Sequence, residues 1–181
     1  MKAQVAALKG KKVLFWDEMR LGGLDQVRHR WAPRGMKLVQ KVEMRFEWTY
    51  LVLAVAPGSG EIWWTWIADM RAESHKQALE AAVQATGMAA VIWDRAPGHR
   101  AKALEGVPVR RIYLPPYSPE LNPVERLFQE IRRAVEGYRY ATLEEKQQAV
   151  EDLLRQWQEQ GDQVRSLTNW AWIQEAFNCP P

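Results

Sequence analysis

Three acidic side chains stand where they could do chemistry together. Asp17 closes the apolar run 12–17, Asp94 closes the apolar run 88–94, and Glu125 lies just inside a helix that opens at Asn122-Pro123. The first two are 77 residues apart and the second and third 31. Two strand ends and a helix start can converge at one edge of a sheet, where such folds build their sites. Carboxylates in contact repel, raise one another's pKa and cost stability unless a cation neutralises them. Oxygen ligands without a Cys/His cluster favour Mg²⁺, with Mn²⁺ as a substitute, over zinc. Two such ions about 3.5–4 Å apart can activate an attacking oxygen and stabilise the leaving one in phosphodiester chemistry.

Each acid also has a purely structural use. Asn122 as N-cap, Pro123 at the first helical position and Glu125 at the third would make a complete capping box. Asp94, before Arg-Ala-Pro-Gly, suits an Asx-turn. Asp17 could pair with an arginine of the basic stretch that follows it. Glu18, next to Asp17 on a strand, points to the opposite face and is left outside the metal site. The residue types alone leave both sets of readings open.

The elements that must position the acids follow from pattern. Residues 12–17 read as a buried strand, 20–35 as a long basic connection, and 37–45, 48–56 and 61–68 as strand-like runs rich in β-branched and aromatic residues. Short turns make this part an antiparallel meander. From Ser74 the spacing of Ala78, Leu79, Ala82 and Val83 predicts a helix ended by Gly87. A strand over 88–94, a short helix to about Glu105 and a strand over 107–114 imply parallel pairing through crossovers. Val124, Leu127, Phe128, Ile131 and Val135 form one stripe of a helix from Asn122 to about Gly137. Thr142 with Glu145 caps the next helix, and 163–177 reads as the last. The expected fold is α/β: three antiparallel strands followed by parallel ones, a five-stranded mixed sheet with the first strand central and helices flanking it. This resembles the ribonuclease-H-like layout.

Composition fits one globular domain over 1–181: 47% hydrophobic and 26% charged residues, with no convincing internal boundary. The single cysteine, Cys179, allows no intrachain disulfide and suits a reducing compartment. With no apolar run of membrane length and no signal-peptide pattern, a cytoplasmic protein without membrane contact is expected. Residues 1–140 hold 22 Lys/Arg against 15 Asp/Glu, whereas 141–181 hold 3 against 7. A basic body suits a polyanionic partner. Of the ten tryptophans, Trp16, Trp48, Trp64 and Trp66 lie in strand-like runs where core packing is the ordinary use.

Four stretches, FWDE (15–18), RHRWAPRG (28–35), VIWDRAPGH (91–99) and above all LPPYSPELNPVERLF (114–128), resemble the catalytic domain of a DDE transposase, in the bacterial insertion-sequence branch of the Tc/mariner superfamily. The resemblance covers about residues 12–137. It implies that Asp17, Asp94 and Glu125 are the catalytic, metal-binding triad, holding two Mg²⁺ ions that cut DNA at the element's ends and join the freed 3′-hydroxyl to target DNA. It implies a homodimer on DNA, since two ends must be paired. Members usually carry an N-terminal helix-turn-helix region; only sixteen residues precede Asp17, so a separate DNA-binding polypeptide is expected to supply that part. The family's Asp-Asn pair is Asp94-Arg95 here, while His99 is retained. Arg95 either contacts a phosphate or weakens metal binding at Asp94. Arg28, Arg30, Trp31, Arg34 and Lys37 suit phosphate contacts with one stacking residue, against the alternative of a solvated hairpin with Trp31 packed inward. Arg95, His99 and Arg126 complete the expected DNA contacts. An inactive or domesticated remnant that binds DNA, and a stand-alone ribonuclease-H-like nuclease, are the alternatives.

Overall fold

A computed structural model describes residues 7–24, 31–39 and 44–178. Its centre is a five-stranded sheet in the order β3-β2-β1-β4-β5. The strands are β1 (Val13–Leu24), β2 (Met44–Ala56), β3 (Glu61–Ile67), β4 (Ala90–Trp93) and β5 (Arg110–Tyr113). β1 pairs antiparallel with β2, and β2 with β3. β4 runs parallel to β1 and β5 parallel to β4. The mixed sheet with β1 in the middle is the expected one.

Alternation along β1 divides the core. Val13, Phe15, Met19 and Leu21 face one side, where they join Leu53, Val55 and Ile92 and are covered by α2 (Pro123–Val135), α3 (Leu143–Glu159), α4 (Gly161–Thr168) and α5 (Ala171–Asn178). Leu14 and Trp16 face the other side with Val52, Ala54, Val91 and Trp93, covered by α1 (Ala72–Thr86). The α2 stripe is as the spacing predicts: Val124, Leu127, Phe128, Ile131 and Val135 are all buried. Burying one such side chain contributes roughly 1.5–3 kcal/mol, so this stripe anchors α2, and with it Glu125, against the sheet.

Several boundaries differ from the sequence reading. β1 does not stop at Asp17 but runs to Leu24, because Met19 and Leu21 keep the alternation going against β2, with an irregularity between Gly22 and Leu24. Asp17 is therefore inside a strand rather than at its end. The runs 37–45 and 48–56 are not two strands: residues 37–39 have no regular structure, 40–43 lie outside the described residues, and Met44 already belongs to β2. The short helix near Glu105 is two single 3₁₀ turns, Gly98–Arg100 and Lys102–Leu104. The last helix is broken into α4 and α5 at Asn169 and Trp170. Gly87 ends α1 as expected, with φ of 66°. Among the described residues no helix is long and apolar enough to cross a membrane.

Candidate active site

Parallel pairing brings the two aspartates level. Phe15 is opposite Ile92, and Asp17 and Asp94 each lie two residues further along in the same direction. The first turn of α2 is packed over this end of the sheet. Asp17, Asp94 and Glu125 all line one cavity of about 430 Å³, whose wall includes Arg95, Arg100 and Tyr117. Side chains separated by 77 and 31 residues in sequence thus line one cavity, though their oxygens are not gathered within 4.8 Å of one another.

Asn122 makes the join. It is 1% exposed, and its Oδ1 accepts the Val124 N–H at 3.2 Å, capping α2. Its Nδ2 donates to the Trp16 carbonyl at 3.0 Å and to Asp17 Oδ2 at 3.1 Å. One amide therefore fixes both the start of α2 and the Asp17 carboxylate. The capping box expected from Asn122 and Glu125 is not closed: the Asn122 N–H donates to the Pro119 carbonyl at 2.9 Å. Glu125 is released from capping and faces the cavity, with Arg132 Nη1 3.9 Å from its carboxylate. Asp94 does form the Asx-turn, its Oδ1 accepting the Ala96 N–H at 2.8 Å, and lines the cavity as well. The structural reading of Asp94 is realised, and the turn leaves the residue on the cavity wall.

The electrostatics separate the acids. Burial pushes Asp17 up to about 8, helped by the neighbouring charges of Glu18, Glu125 and Asp94 and opposed by the Glu18 N–H. Asp94 is held below the usual carboxylate range by its hydrogen bond from His99, with the Ala96 N–H adding to it against partial burial. A divalent cation would relieve the strain at Asp17 by replacing a proton with a stronger positive charge. Three carboxylates lining one cavity, one of them costly to ionise alone, fit an oxygen-seeking ion such as Mg²⁺ or Mn²⁺.

A second cluster lies behind the first. Glu18 lies on the face of β1 opposite Asp17, as alternation predicts, and its side chain is buried there against α1, 4% exposed. It accepts Trp16 Nε1 at 2.6 Å and faces His99 Nε2 at 3.1 Å and His75 Nδ1 at 3.3 Å. His99 Nδ1 donates to Asp94 Oδ1 at 2.6 Å. Burial raises the cost of the Glu18 charge, but the two histidines bring its carboxyl down to about 2. Burial likewise opposes charge on His99, and the bonds to Asp94 and Glu18 outweigh it, lifting the ring to about 10. The ligand atoms of Glu18, His75 and His99 lie within 4.8 Å of one another. His75 shares the buried stripe of α1 with Ala78, Leu79 and Ala82. A histidine on such a face needs a partner, and that was the available signal.

The expected DNA contacts are scattered. Arg28 and Arg30 lie outside the described residues. Trp31, Arg34 and Lys37 are exposed on a segment without regular structure, and Trp31 is not packed inward, being 103% exposed. Arg95 lines the cavity and donates Nε to the Leu114 carbonyl at 3.1 Å. Arg126 ion-pairs with Glu130 on its own helix. His99 is a correction: at 1% exposure, with both ring nitrogens on carboxylates, it has no surface for DNA. Two residues were missed, Arg100 and Tyr117, which both line the cavity. Tyr117 is 101% exposed and sits at φ 54°, a left-handed conformation uncommon for a non-glycine residue.

Comparison with known proteins extends this picture. The chain resembles in fold the Mos1 transposase paired-end complex with left transposon end, at TM-score 0.68 and 15% identity over 99% of this chain and 58% of that one. It also matches the catalytic domain of Mos1 mariner transposase, at TM-score 0.59 and 16% identity over 97% and 85% of the two chains. The catalytic core domain of BIV integrase follows at TM-score 0.51 and 16% identity, over 80% and 84%. The chain thus spans little more than half of the longer transposase chains it matches. Curated proteins give no match. The family model described as DDE superfamily endonuclease matches residues 12–147, three quarters of the sequence and every residue of the acidic cavity named above, and the chain belongs to that family.

Proposed function

We propose that residues 1–181 form the metal-dependent catalytic domain of a transposase, cutting DNA at transposon ends and joining the 3′-hydroxyl to target DNA. The observation that carries this is the convergence of Asp17, Asp94 and Glu125 on one cavity in a DDE-family chain, with Asp17 too costly to ionise unaided. Asp17, which feels the charge of both other acids, would gain most from a bound cation. Two ions would lower the pKa of an attacking hydroxyl and stabilise the leaving oxygen. The triad is more open than the Glu18 cluster, which suits a pair of ions better than one ion at a single point. Solved Mos1 complexes described as "with Mn" and "with Mg" support the choice of Mg²⁺, with Mn²⁺ as substitute.

The chain's own residues then position and neutralise. Asn122 holds Asp17, and His99 holds Asp94. Arg95 and Arg100 supply positive charge on the cavity wall for a phosphate. Trp31, Arg34 and Lys37, exposed on their segment, and Arg126, next to Glu125 in sequence, are the further contacts to DNA in this reading, together with Arg28 and Arg30. The solved paired-end and strand-transfer complexes support DNA as partner. A homodimer that pairs two ends, a DNA-binding region supplied by a separate polypeptide, and action in the cytoplasm belong to the same reading.

The test is a nicking and strand-transfer assay with Mg²⁺ or Mn²⁺. The parent chain, joined to its DNA-binding region where needed, is expected to produce nicks that vanish with chelator and in Asp17→Ala, Asp94→Ala and Glu125→Ala alike. Equal activity in all four proteins would end the proposal. Cleavage of branched DNA or hybrids without strand joining would instead mark a stand-alone nuclease.

A further inference from the structure

The cluster behind the cavity has no part in metal binding as the triad is drawn, yet it touches the triad. His99 lies in the turn Gly98–Arg100 with its ring flat on Trp93, centroids 4.4 Å apart and planes 5° apart. Both ring nitrogens are spent: Nδ1 on Asp94 Oδ1 at 2.6 Å, Nε2 on both oxygens of Glu18 at 3.1 Å. Glu18 is held in turn by Trp16 Nε1 and flanked by His75. The packing behind His99 is close: a Cβ on Gly98 would meet His75 Cδ2 at 2.9 Å, so the turn can sit there only with glycine. Of the two Asp94 oxygens, Oδ1 receives both the His99 and the Ala96 donors.

We propose that Glu18 and His99 are positioning residues for Asp94, a buried hydrogen-bond chain that ties down Oδ1 and leaves the other oxygen to the cavity. Ligating carboxylates are commonly oriented this way, and losing such a partner costs about 10–100-fold in metal affinity. The inference rests on the metal-site reading above. A metal held by Glu18, His75 and His99 themselves is the competing arrangement; His75 Nδ1, 3.3 Å from Glu18, makes no hydrogen bond, but Glu18 and His99 would have to give up the bonds they now make.

The decisive experiment measures Mn²⁺ binding by calorimetry, with circular dichroism as the check on folding. Glu18→Gln keeps the volume, His99→Phe keeps the stack on Trp93, and His99→Asn can restore a donor near the Nδ1 position. Mn²⁺ affinity is expected to fall about 10–100-fold in the first two and to recover in part in the third. In an Asp94→Ala background, Glu18→Gln is expected to have no further effect. Affinity within twofold of the parent in both Glu18→Gln and His99→Phe would overturn the proposal. So would a stoichiometric metal ion that His75→Asn removes. If the parent bound no Mn²⁺, the metal reading would fail by itself, and NMR of the metal-free chain would still decide. Glu18→Gln should shift the Asp94 carboxyl carbon resonance, and an unmoved resonance would refute the chain.

Discussion

Asn122→Ala tests whether one buried amide holds the two halves of the site together. Three bonds are lost at once. Removing the cap to Val124 costs about 1 kcal/mol. The Trp16 carbonyl and Asp17 Oδ2 lose their amide donor, and a buried polar group left without its partner costs about 1–3 kcal/mol. With two such acceptors the sum is about 3–7 kcal/mol, which in a domain of this size lowers Tm by roughly 6–28 °C. Asn122→Ser separates the contributions, since serine caps as well as asparagine but is too short to reach β1. Thermal denaturation of the metal-free chain is expected to rank the parent above Ser and Ser above Ala. The cap is read from the lower gap and the clamp on Asp17 from the upper. A serine variant as stable as the parent would refute the clamp, and an alanine variant within about 2 °C of the parent would refute the whole account.

Three further outcomes are expected. Asp17 has a folded-state pKa near 8, far above the ordinary carboxylate value, so the folded chain binds the extra proton and metal-free stability falls as pH rises from about 4 to 8. Asp17→Asn should flatten that decline, and Mn²⁺ should raise the parent's Tm more at pH 8 than at pH 6; melting curves with no pH-dependent difference between the two proteins would contradict the assignment. Tyr117→Ala should weaken single-stranded DNA binding by about 1–3 kcal/mol, the value of one stacked base, and leave Mn²⁺ affinity unchanged; fluorescence anisotropy reads the first and calorimetry the second. Phe128→Ala, deep in the α2 stripe, should cost about 3–5 kcal/mol in chemical denaturation and loosen the helix that carries Glu125.

Much of this protein was legible in one dimension, because alternation and helical spacing are local. They place most elements, bury the α2 stripe, and set Asp94 just past a strand and Glu125 in the first turn of a helix, whereas Asp17 proves to lie inside β1. The motif around Glu125 carries the family. What stayed illegible depended on partners distant in sequence. Asn122 and Glu125 spell a capping box to any local reading, yet the Asn122 amide reaches 106 residues back to β1 and its N–H turns to Pro119, which frees Glu125 for the cavity. Glu18 was set aside because alternation turns it away from Asp17. That face is buried, and packing α1 and the turn Gly98–Arg100 against it supplies His75 and His99, the latter 81 residues away, that make its charge tolerable. The sequence by itself determined which groups could bind a metal and the order and type of most elements. The tertiary structure decided which of them share a cavity and what holds each in place, because charge repulsion, burial and hydrogen-bond satisfaction depend on neighbours in space.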